Sequence, residues 1–452
     1  MINYLMKSGV PGMIFPAAPA ASNSQLIAAL WQLEKTQWLD PQALRQRQSL
    51  QFVQMMHHAR RYSPFYKKRL QDLGSKKKPL DNDSFLQIPL LTRADIQSHH
   101  DALLATKLPP NDAVAGTTET SGSTGQTVKV TKSRVNQLFF QAIGLREHFW
   151  HQRDFKGSIA VIRAGIEADK LGRSSSWGKP LSTLFETGPA HLLAINTPVR
   201  EQVNWLNGID PDYLMTYPTN LRELLKEAAD GRLKLSRLKQ VRTIGEPLPE
   251  ELREQCNQLL GVLIADVYSS QELGNIGDQC PHSGLYHVPE TLMVEVLHTD
   301  GRPCRAGETG RLVITDLTNF AMPLIRYEIR DYAELGAQCP CGRGLPTLRR
   351  ILGRQRNMLV LPNGDRYWPL TGFKKFKTIA DIRQYQIIQQ SLTDVDVHLV
   401  VSEPLTPGQQ QKLTETIKDA LGHPFNLHFT EHSTELPKTI GGKFEEFVCN
   451  VN

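Results

Sequence analysis

Between Thr117 and Gly125 the chain reads Thr-Thr-Glu-Thr-Ser-Gly-Ser-Thr-Gly, and Lys129 and Lys132 follow. Hydroxyls and successive backbone N–H groups can donate to phosphate oxygens, and glycine lets the backbone approach them closely. The chemistry suggested is a cradle for a nucleotide triphosphate. It is not a Walker loop, because Gly125 is followed by Gln126 where that pattern needs lysine and a hydroxyl residue. The same composition also makes a flexible linker. The weight therefore falls on the residues that accompany it.

Four downstream stretches carry further chemistry. Thr243-Ile-Gly245-Glu246-Pro247-Leu and Asp266-Val-Tyr268-Ser269-Ser-Gln-Glu272 each end an apolar run. Arg326-Tyr-Glu-Ile-Arg330-Asp331 places a carboxylate after another, and Pro437-Lys-Thr-Ile-Gly-Gly-Lys443 sets a lysine behind two glycines. Each alone is weak: a single Glu272 or Asp331 is ordinarily a solvated carboxylate, and Lys443 a surface lysine. A separate group is thiol-based. Cys339-Pro-Cys341 is a tight pair, and Cys280 precedes both His282 and His287. Three thiolates and one imidazole make a closed structural zinc site, with no position left for catalysis. Reduced cysteines in a turn are the plainer alternative. Cys256, Cys304 and Cys449 have no partners by spacing and read as ordinary thiols.

The elements that must position these residues follow from periodicity. Asp40-Pro41 reads as a helix cap, and Leu44, Leu50, Val53 and Met56 mark a helix toward Ser63-Pro64. His57, His58, Arg60, Arg61 and Tyr62 read as its solvated face. Another short helix follows the 88–95 stretch. Strands are expected at 158–164, 212–218, 240–246 and 262–270. A helix over 220–230 carries Leu221, Leu224, Leu225 and Ala228 on one face and stops at Gly231. Strand–helix alternation implies a largely parallel sheet, with ligands at the loops after the strands. Near the end, strands at 384–390, 395–401 and 425–431 flank a helix from Thr406-Pro407 to Gly422, a small α+β unit of about a hundred residues.

Length and composition bound the rest. The chain's 452 residues can hold two or three domains, and 40% hydrophobic with 22% charged residues is ordinary for a globular protein. A net charge of +6 suits small anionic ligands at least as well as nucleic acid. Six cysteines in so long a chain do not make a disulfide scaffold. No apolar run is long enough to span a membrane. The first 22 residues faintly resemble a signal peptide, but Gly9, Pro11, Gly12 and Pro16 interrupt the apolar part, so a loose arm is expected.

Taken together and in this order, the motifs resemble the adenylate-forming superfamily, and within it the phenylacetate–coenzyme A ligase-like family. The resemblance covers about residues 40–452 and rests on Ser121–Gly125, Gly245–Pro247, Tyr268–Glu272, Arg326–Asp331, Gly353-Arg354 and Pro437–Lys443. It implies an α/β fold: a large N-terminal domain (1–353, with 1–39 an arm and helix) of mixed or parallel sheets with helices. A small α+β C-terminal lid (354–452) follows it. Thr120, Ser121, Gly122, Ser123, Thr124 and Gly125 would hold the ATP phosphates. Gly245, Glu246, Pro247, Tyr268 and Ser269 would flank adenine, with Tyr268 stacked on it. Asp331 would bind the ribose, Arg354 would enter the hinge, Glu272 would ligate Mg²⁺, and Lys443 would act at the α-phosphate. It also favours His287 over His282 as the fourth ligand of a structural Zn²⁺ with Cys280, Cys339 and Cys341.

The sequence departs from the family at Thr127 and Val128, where proline and lysine are usual. In the hinge region, Gln355-Arg-Asn357 lacks an aspartate, and Arg356 takes its place. The segment 361–369 also differs from the family's glycine-valine-asparagine run.

The expected activity joins a carboxylic acid, aromatic by the family's example, to ATP as acyl-AMP. Transfer to a thiol follows, with coenzyme A the expected acceptor. An amide- or ester-forming ligase with an amine or carrier-protein acceptor is the alternative enzyme. A zinc-bearing, non-catalytic binding module is the alternative of another class. A cytoplasmic setting is expected, without nucleic-acid or membrane partners and with a homodimer allowed. Phe139, Phe140, Phe185 and Tyr217 are candidates for an apolar pocket, although core packing is the simpler job for them.

Overall fold

The computed structural model describes residues 6–71, 85–120, 127–166, 172–354, 358–363, 366–367, 376, 378–436 and 446–451. It divides into two compact units, Met1–Ile351 and Leu352–Asn452. Ser121, Gly122, Ser123, Thr124 and Gly125, expected to hold phosphates, residues 355–357, expected at a hinge, and Lys443 lie outside the described residues.

The large unit is built on one mixed sheet. Its strands are β3 (Ile159–Arg163), β4 (Gly172–Ser174), β5 (Ala190–Ala194), β6 (Tyr213–Thr216), β7 (Gln240–Ile244), β8 (Leu263–Ser270), β9 (Gly274–Gln279), β10 (Tyr286–His287), β11 (Leu292–Leu297), β12 (Thr309–Asp316), β13 (Tyr327–Leu335) and β14 (Thr347–Arg354). They run in the order β11-β12-β13-β14-β10-β9-β8-β7-β6-β3-β5-β4. Neighbours from β5 through β3, β6 and β7 to β8 are parallel. β8 then turns into β9 and the order becomes antiparallel. The expected parallel sheet is therefore half of a larger mixed one. A separate hairpin pairs β1 (Val114–Thr120) with β2 (Val128–Ser133), on either side of the stretch expected to bind phosphate.

The parallel half is made by amphipathic helices. Leu221, Leu224 and Leu225 of the helix Pro218–Ala229 are buried, as are Val203 and Leu206 of Val199–Ile209, against Ala160, Leu214 and Val241 of the strands. Burying each such leucine stabilises the fold by roughly 1.5–3 kcal/mol. The helix Pro41–Tyr62 is capped by Asp40, whose carboxylate accepts from Gln42 N at 2.8 Å. Its buried face carries Leu44, Phe52, Met55, Met56 and His58, whereas Leu50 is exposed. His58 is thus no solvated residue: its Nε2 lies 2.9 Å from the Phe320 carbonyl. Part of the N-terminal arm, and the helix after it, are held against the large unit. Lys7 N donates to Leu184 O at 2.7 Å, and Leu26, Leu30 and Leu33 of the helix Ser24–Thr36 pack with Ala142, Ile143 and Leu145 of the helix Arg134–Trp150. Apolar spacing within 24–36 supplies that face, which the glycines and prolines before it obscure.

In the small unit, β15 (Leu359–Val360) pairs with β16 (Arg366–Tyr367). The strands β17 (Ile382–Gln389), β18 (Asp394–Val401), β19 (Asn426–His432) and β20 (Phe447–Cys449) form a sheet in the order β19-β18-β17-β20. Val395, Val397 and Leu399 alternate onto the face that packs with Leu413, Ile417 and Leu421 of the helix Pro407–Leu421. That helix starts with a capping box between Thr406 and Gln409 and ends at Gly422 in the left-handed region.

Candidate functional site

The end of β8 gathers the candidate nucleotide residues of the large unit. A bulge between Tyr268 and Ser269 interrupts the β8–β9 ladder. Ser270 Oγ then accepts from Leu273 N at 3.1 Å and closes the turn that presents Glu272. Gly274 exits it at φ +76°, and a Cβ there would stand 2.8 Å from the Phe140 ring, so both backbone and space call for glycine. From β13, Asp331 reaches the same place. Arg330 before it has φ 68°, a conformation that breaks strand alternation and re-aims the next side chain. Tyr268 Oη donates to Asp331 Oδ2 at 2.6 Å. The residues expected at adenine and ribose thus meet, 63 positions apart in sequence.

Glu272 is held by two cations that sequence reasoning had not tied to it. Arg93 Nη1 lies 3.1 Å from its Oε1, and both side chains are largely buried. Lys132 Nζ donates to the Glu272 carbonyl oxygen. Burial pushes the Lys132 ammonium below the ordinary lysine range, while the Asp316 and Glu272 carboxylates pull it back. Arg93 is placed by the capping box of the helix Arg93–Leu103, in which Thr92 and Asp95 bond reciprocally. For Lys132 a signal existed: it is in phase with Val128 and Val130, the inward residues of β2, so a period of two points it inward. Lys129 is out of phase and pairs with Glu119 across the hairpin at 2.9 Å. Thr118 of that hairpin donates to Gln271 O at 3.1 Å, tying β1 to the Glu272 turn.

Other expected residues fall less centrally. Thr120 ends β1, opposite Val128. Gly245 follows β7 at φ 77°. The Glu246 carboxylate accepts from Thr219 N at 2.9 Å and from Thr219 Oγ1 at 3.0 Å, so it caps the helix Pro218–Ala229 and fixes the loop from below. Pro247 continues that loop. Arg354 ends β14 with its side chain exposed. Phe139 and Phe140 border a small cavity with Asn136, Ile143, Leu273 and Asn275, beside the Glu272 turn. Phe185 and Tyr217 lie in core clusters elsewhere.

The thiol group closes up as a cluster. Ligand atoms of Cys280, His287, Cys339 and Cys341 all lie within 4.8 Å of one another. Cys339 Sγ is 3.7 Å from Cys280 Sγ, and Cys341 Sγ is 3.3 Å from His287 Nε2. Zinc–sulfur bonds of about 2.3 Å in a tetrahedron set sulfurs about 3.8 Å apart, so the donor set fits a zinc ion. The buried His287 Nδ1 has no hydrogen-bond partner, and Nε2 is the ring nitrogen that faces Cys341 Sγ. Burial raises the Cys280 thiol, but hydrogen bonds from His287, His282 N and Ser283 outweigh this and bring it to about 7. His282 itself is exposed. Arg343, next but one after Cys341, is sandwiched between Trp150 and Trp38, 4.4 and 4.8 Å from the ring centroids. Gln37 Oε1 accepts from both Trp150 Nε1 and Arg343 Nε, which fastens the cluster to the end of the first helix.

Known proteins resemble the chain in sequence and in fold. A family model described as the CapK C-terminal domain matches residues 371–450. A phenylacetate–coenzyme A ligase of Thermus thermophilus is 26% identical over 75% of this chain and 78% of its own. The protein CapK of Staphylococcus aureus is 22% identical over 89% of both chains. Among solved structures, 2-hydroxyisobutyryl-CoA ligase in the postadenylation state matches with TM-score 0.65 at 16% identity, over 89% of both chains. The O-succinylbenzoate–coenzyme A synthetase of Bacillus subtilis matches with TM-score 0.52 at 16% identity, over 74% of this chain and 68% of its own. In sequence the chain is similar to phenylacetate–coenzyme A ligases and to CapK, and in fold to coenzyme A ligases whose structures hold acyl adenylates.

Proposed function

We propose that the chain is an AMP-forming acid–thiol ligase, which activates a carboxylic acid with ATP and passes the acyl group to coenzyme A. The observation that carries this is the Tyr268–Asp331 pair standing beside the Glu272 turn: an aromatic face, a carboxylate for two ribose hydroxyls and a metal-type carboxylate in one place. Homology to proteins named as coenzyme A ligases supports the same reading.

In this reading Tyr268 stacks on adenine and Asp331 accepts from the ribose hydroxyls. Ser121 to Gly125 receive the phosphates. Glu272 holds Mg²⁺, a hard ion suited to carboxylate and phosphate oxygens, which would neutralise charge on the phosphates. Arg93, which pairs with Glu272 Oε1, would orient that carboxylate. The substrate carboxylate attacks the α-phosphorus, the bond to the β-phosphate oxygen breaks, and pyrophosphate leaves. Lys443 stabilises the charge that develops there. The thiol's sulfur then attacks the acyl carbon, its proton goes to solvent, and AMP departs. Cys280, His287, Cys339 and Cys341 hold a structural Zn²⁺ that staples residues 280–287 to 339–341. Six free thiols suit a reducing, cytoplasmic setting.

Pyrophosphate release across a panel of carboxylic acids, with and without coenzyme A, tests the proposal. Acid-dependent release with thioester product supports it. Acid-dependent release with hydroxylamine-trappable adenylate but no thioester would point to an amine or carrier-protein acceptor. No acid-dependent release from any acid would favour a binding module.

A further inference from the structure

We propose that His298, Cys304 and Glu308 form a second, solvent-open metal site, suited to a transition-metal ion of the zinc type. The three lie in the loop that joins β11 to β12 at the edge of the large sheet, and their ligand atoms all fall within 4.8 Å of one another. By spacing alone Cys304 had no partner. The loop's backbone supplies both. His298 N donates to Arg302 O at 2.9 Å, Cys304 N to Val296 O at 2.8 Å and Glu308 N to Arg305 O at 2.9 Å. Gly301 and Gly307 make the two reversals at φ 87° and 89°. Three ligands spread over eleven residues are thereby held toward one point before any ion binds.

The arrangement is a floor with a rim. Cys304 is buried, and its sulfur fills the space over Gly310, where a Cβ would come within 2.7 Å of it. His298 and Glu308 stand above, 30% and 44% exposed, with Nε2 and Oε2 3.1 Å apart. Arg305 N donates to the same Oε2 at 2.6 Å, which leaves Oε1 of Glu308 to act as a ligand. Arg302 is engaged with Asp300 at 2.7 Å, so its charge is compensated. Zinc bonds of about 2.0–2.3 Å require donors about 3.3–3.8 Å apart, so the rim side chains close inward by roughly an ångström. Both are exposed enough to do so. A thiolate with an imidazole and a carboxylate selects borderline-soft ions over Mg²⁺ or Ca²⁺. Three protein ligands leave a fourth position to water, unlike the closed set at Cys280, His287, Cys339 and Cys341. Binding replaces the Cys304 thiol proton by a metal–sulfur bond, and the proton leaves to solvent.

The test is Co²⁺ titration of the full-length chain as purified, read by the near-ultraviolet thiolate-to-cobalt charge-transfer band and by equilibrium dialysis. Wild type is compared with Cys304→Ala and His298→Ala. The difference between proteins is what counts, so any uptake at the four-ligand cluster cancels. The expected result is one more ion per wild-type chain than per Cys304→Ala chain, and at least tenfold weaker binding in His298→Ala. His298 is on the exposed rim, so that variant stays interpretable if Cys304→Ala folds poorly. Equal stoichiometry and affinity in all three proteins would overturn the site, as would a wild-type chain that takes up no ion beyond the cluster. Neither outcome bears on ATP-dependent turnover, which is measured separately.

Discussion

Tyr268 Oη and Asp331 Oδ2 are 2.6 Å apart, which joins the end of β8 to β13 through a charge-assisted hydrogen bond. The bond fixes the ring plane and the carboxylate together, so loss of either partner should disturb both halves of the proposed nucleoside site. Tyr268→Phe keeps the ring and removes the donor. We expect KM for ATP to rise about tenfold with kcat little changed, equivalent to about 1.4 kcal/mol of a bond to a charged group. Asp331→Ala should cost more. Pyrophosphate release against ATP concentration measures both, and unchanged KM values would detach the pair from the nucleotide.

The Arg93–Glu272 pair makes two separable predictions. Glu272→Gln should weaken Mg²⁺-dependent pyrophosphate exchange, because a neutral amide is a poor ligand for Mg²⁺. Arg93→Ala leaves a carboxylate that is 8% exposed without its ion partner. That should destabilise the fold by about 3 kcal/mol, as for other buried pairs broken from one side. Urea unfolding reads the second effect. A variant as stable as wild type would mean that Lys132 alone sustains the Glu272 turn.

Elemental analysis of carefully purified protein should find zinc at the Cys280, His287, Cys339 and Cys341 cluster. Cys339→Ser should lose one equivalent and melt several degrees lower, because the ligands join segments more than fifty residues apart. Zinc content equal in wild type and variant would remove the cluster as its holder.

His151 gives the pH dependence. Its Nδ1 faces the Gln240 amide at 3.1 Å and its Nε2 the Gln279 carbonyl at 3.1 Å, a pairing made by a neutral ring. Burial lowers its pKa from 6.5 to about 4, against the pull of Glu147. The unfolded chain therefore binds a proton that the folded chain refuses between pH 6.5 and 4. Stability falls as pH drops through that window, by about 3 kcal/mol in all. His151→Gln should flatten this part of the profile of unfolding free energy against pH. An unaltered slope would assign it to other groups.

Lys443→Ala should cut acyl-AMP formation by about a hundred- to a thousandfold. Given ready-made acyl-AMP and coenzyme A, the same variant should form thioester at a near-normal rate. Equal loss in both half-reactions would make the lysine a support of the shared site.

The sequence by itself determined the elements and the kinds of chemistry. Periods of two and 3.6 located β3, β6, β7, β8 and the helix Pro218–Ala229 to within a few residues, because burial on one face is written locally. Motif order pointed to Tyr268, Glu272 and Asp331 because each follows an apolar run. What those side chains do to one another was left to the tertiary structure. Glu246 caps a helix, Arg93 neutralises Glu272, and Lys132 bonds its carbonyl, through contacts spanning 27, 179 and 140 positions. The same holds for His287 meeting the three cysteines, which spacing alone left open against His282, and for the burial of His58. Local patterns fix which face a residue takes. Only the packing of distant segments fixes what waits on that face.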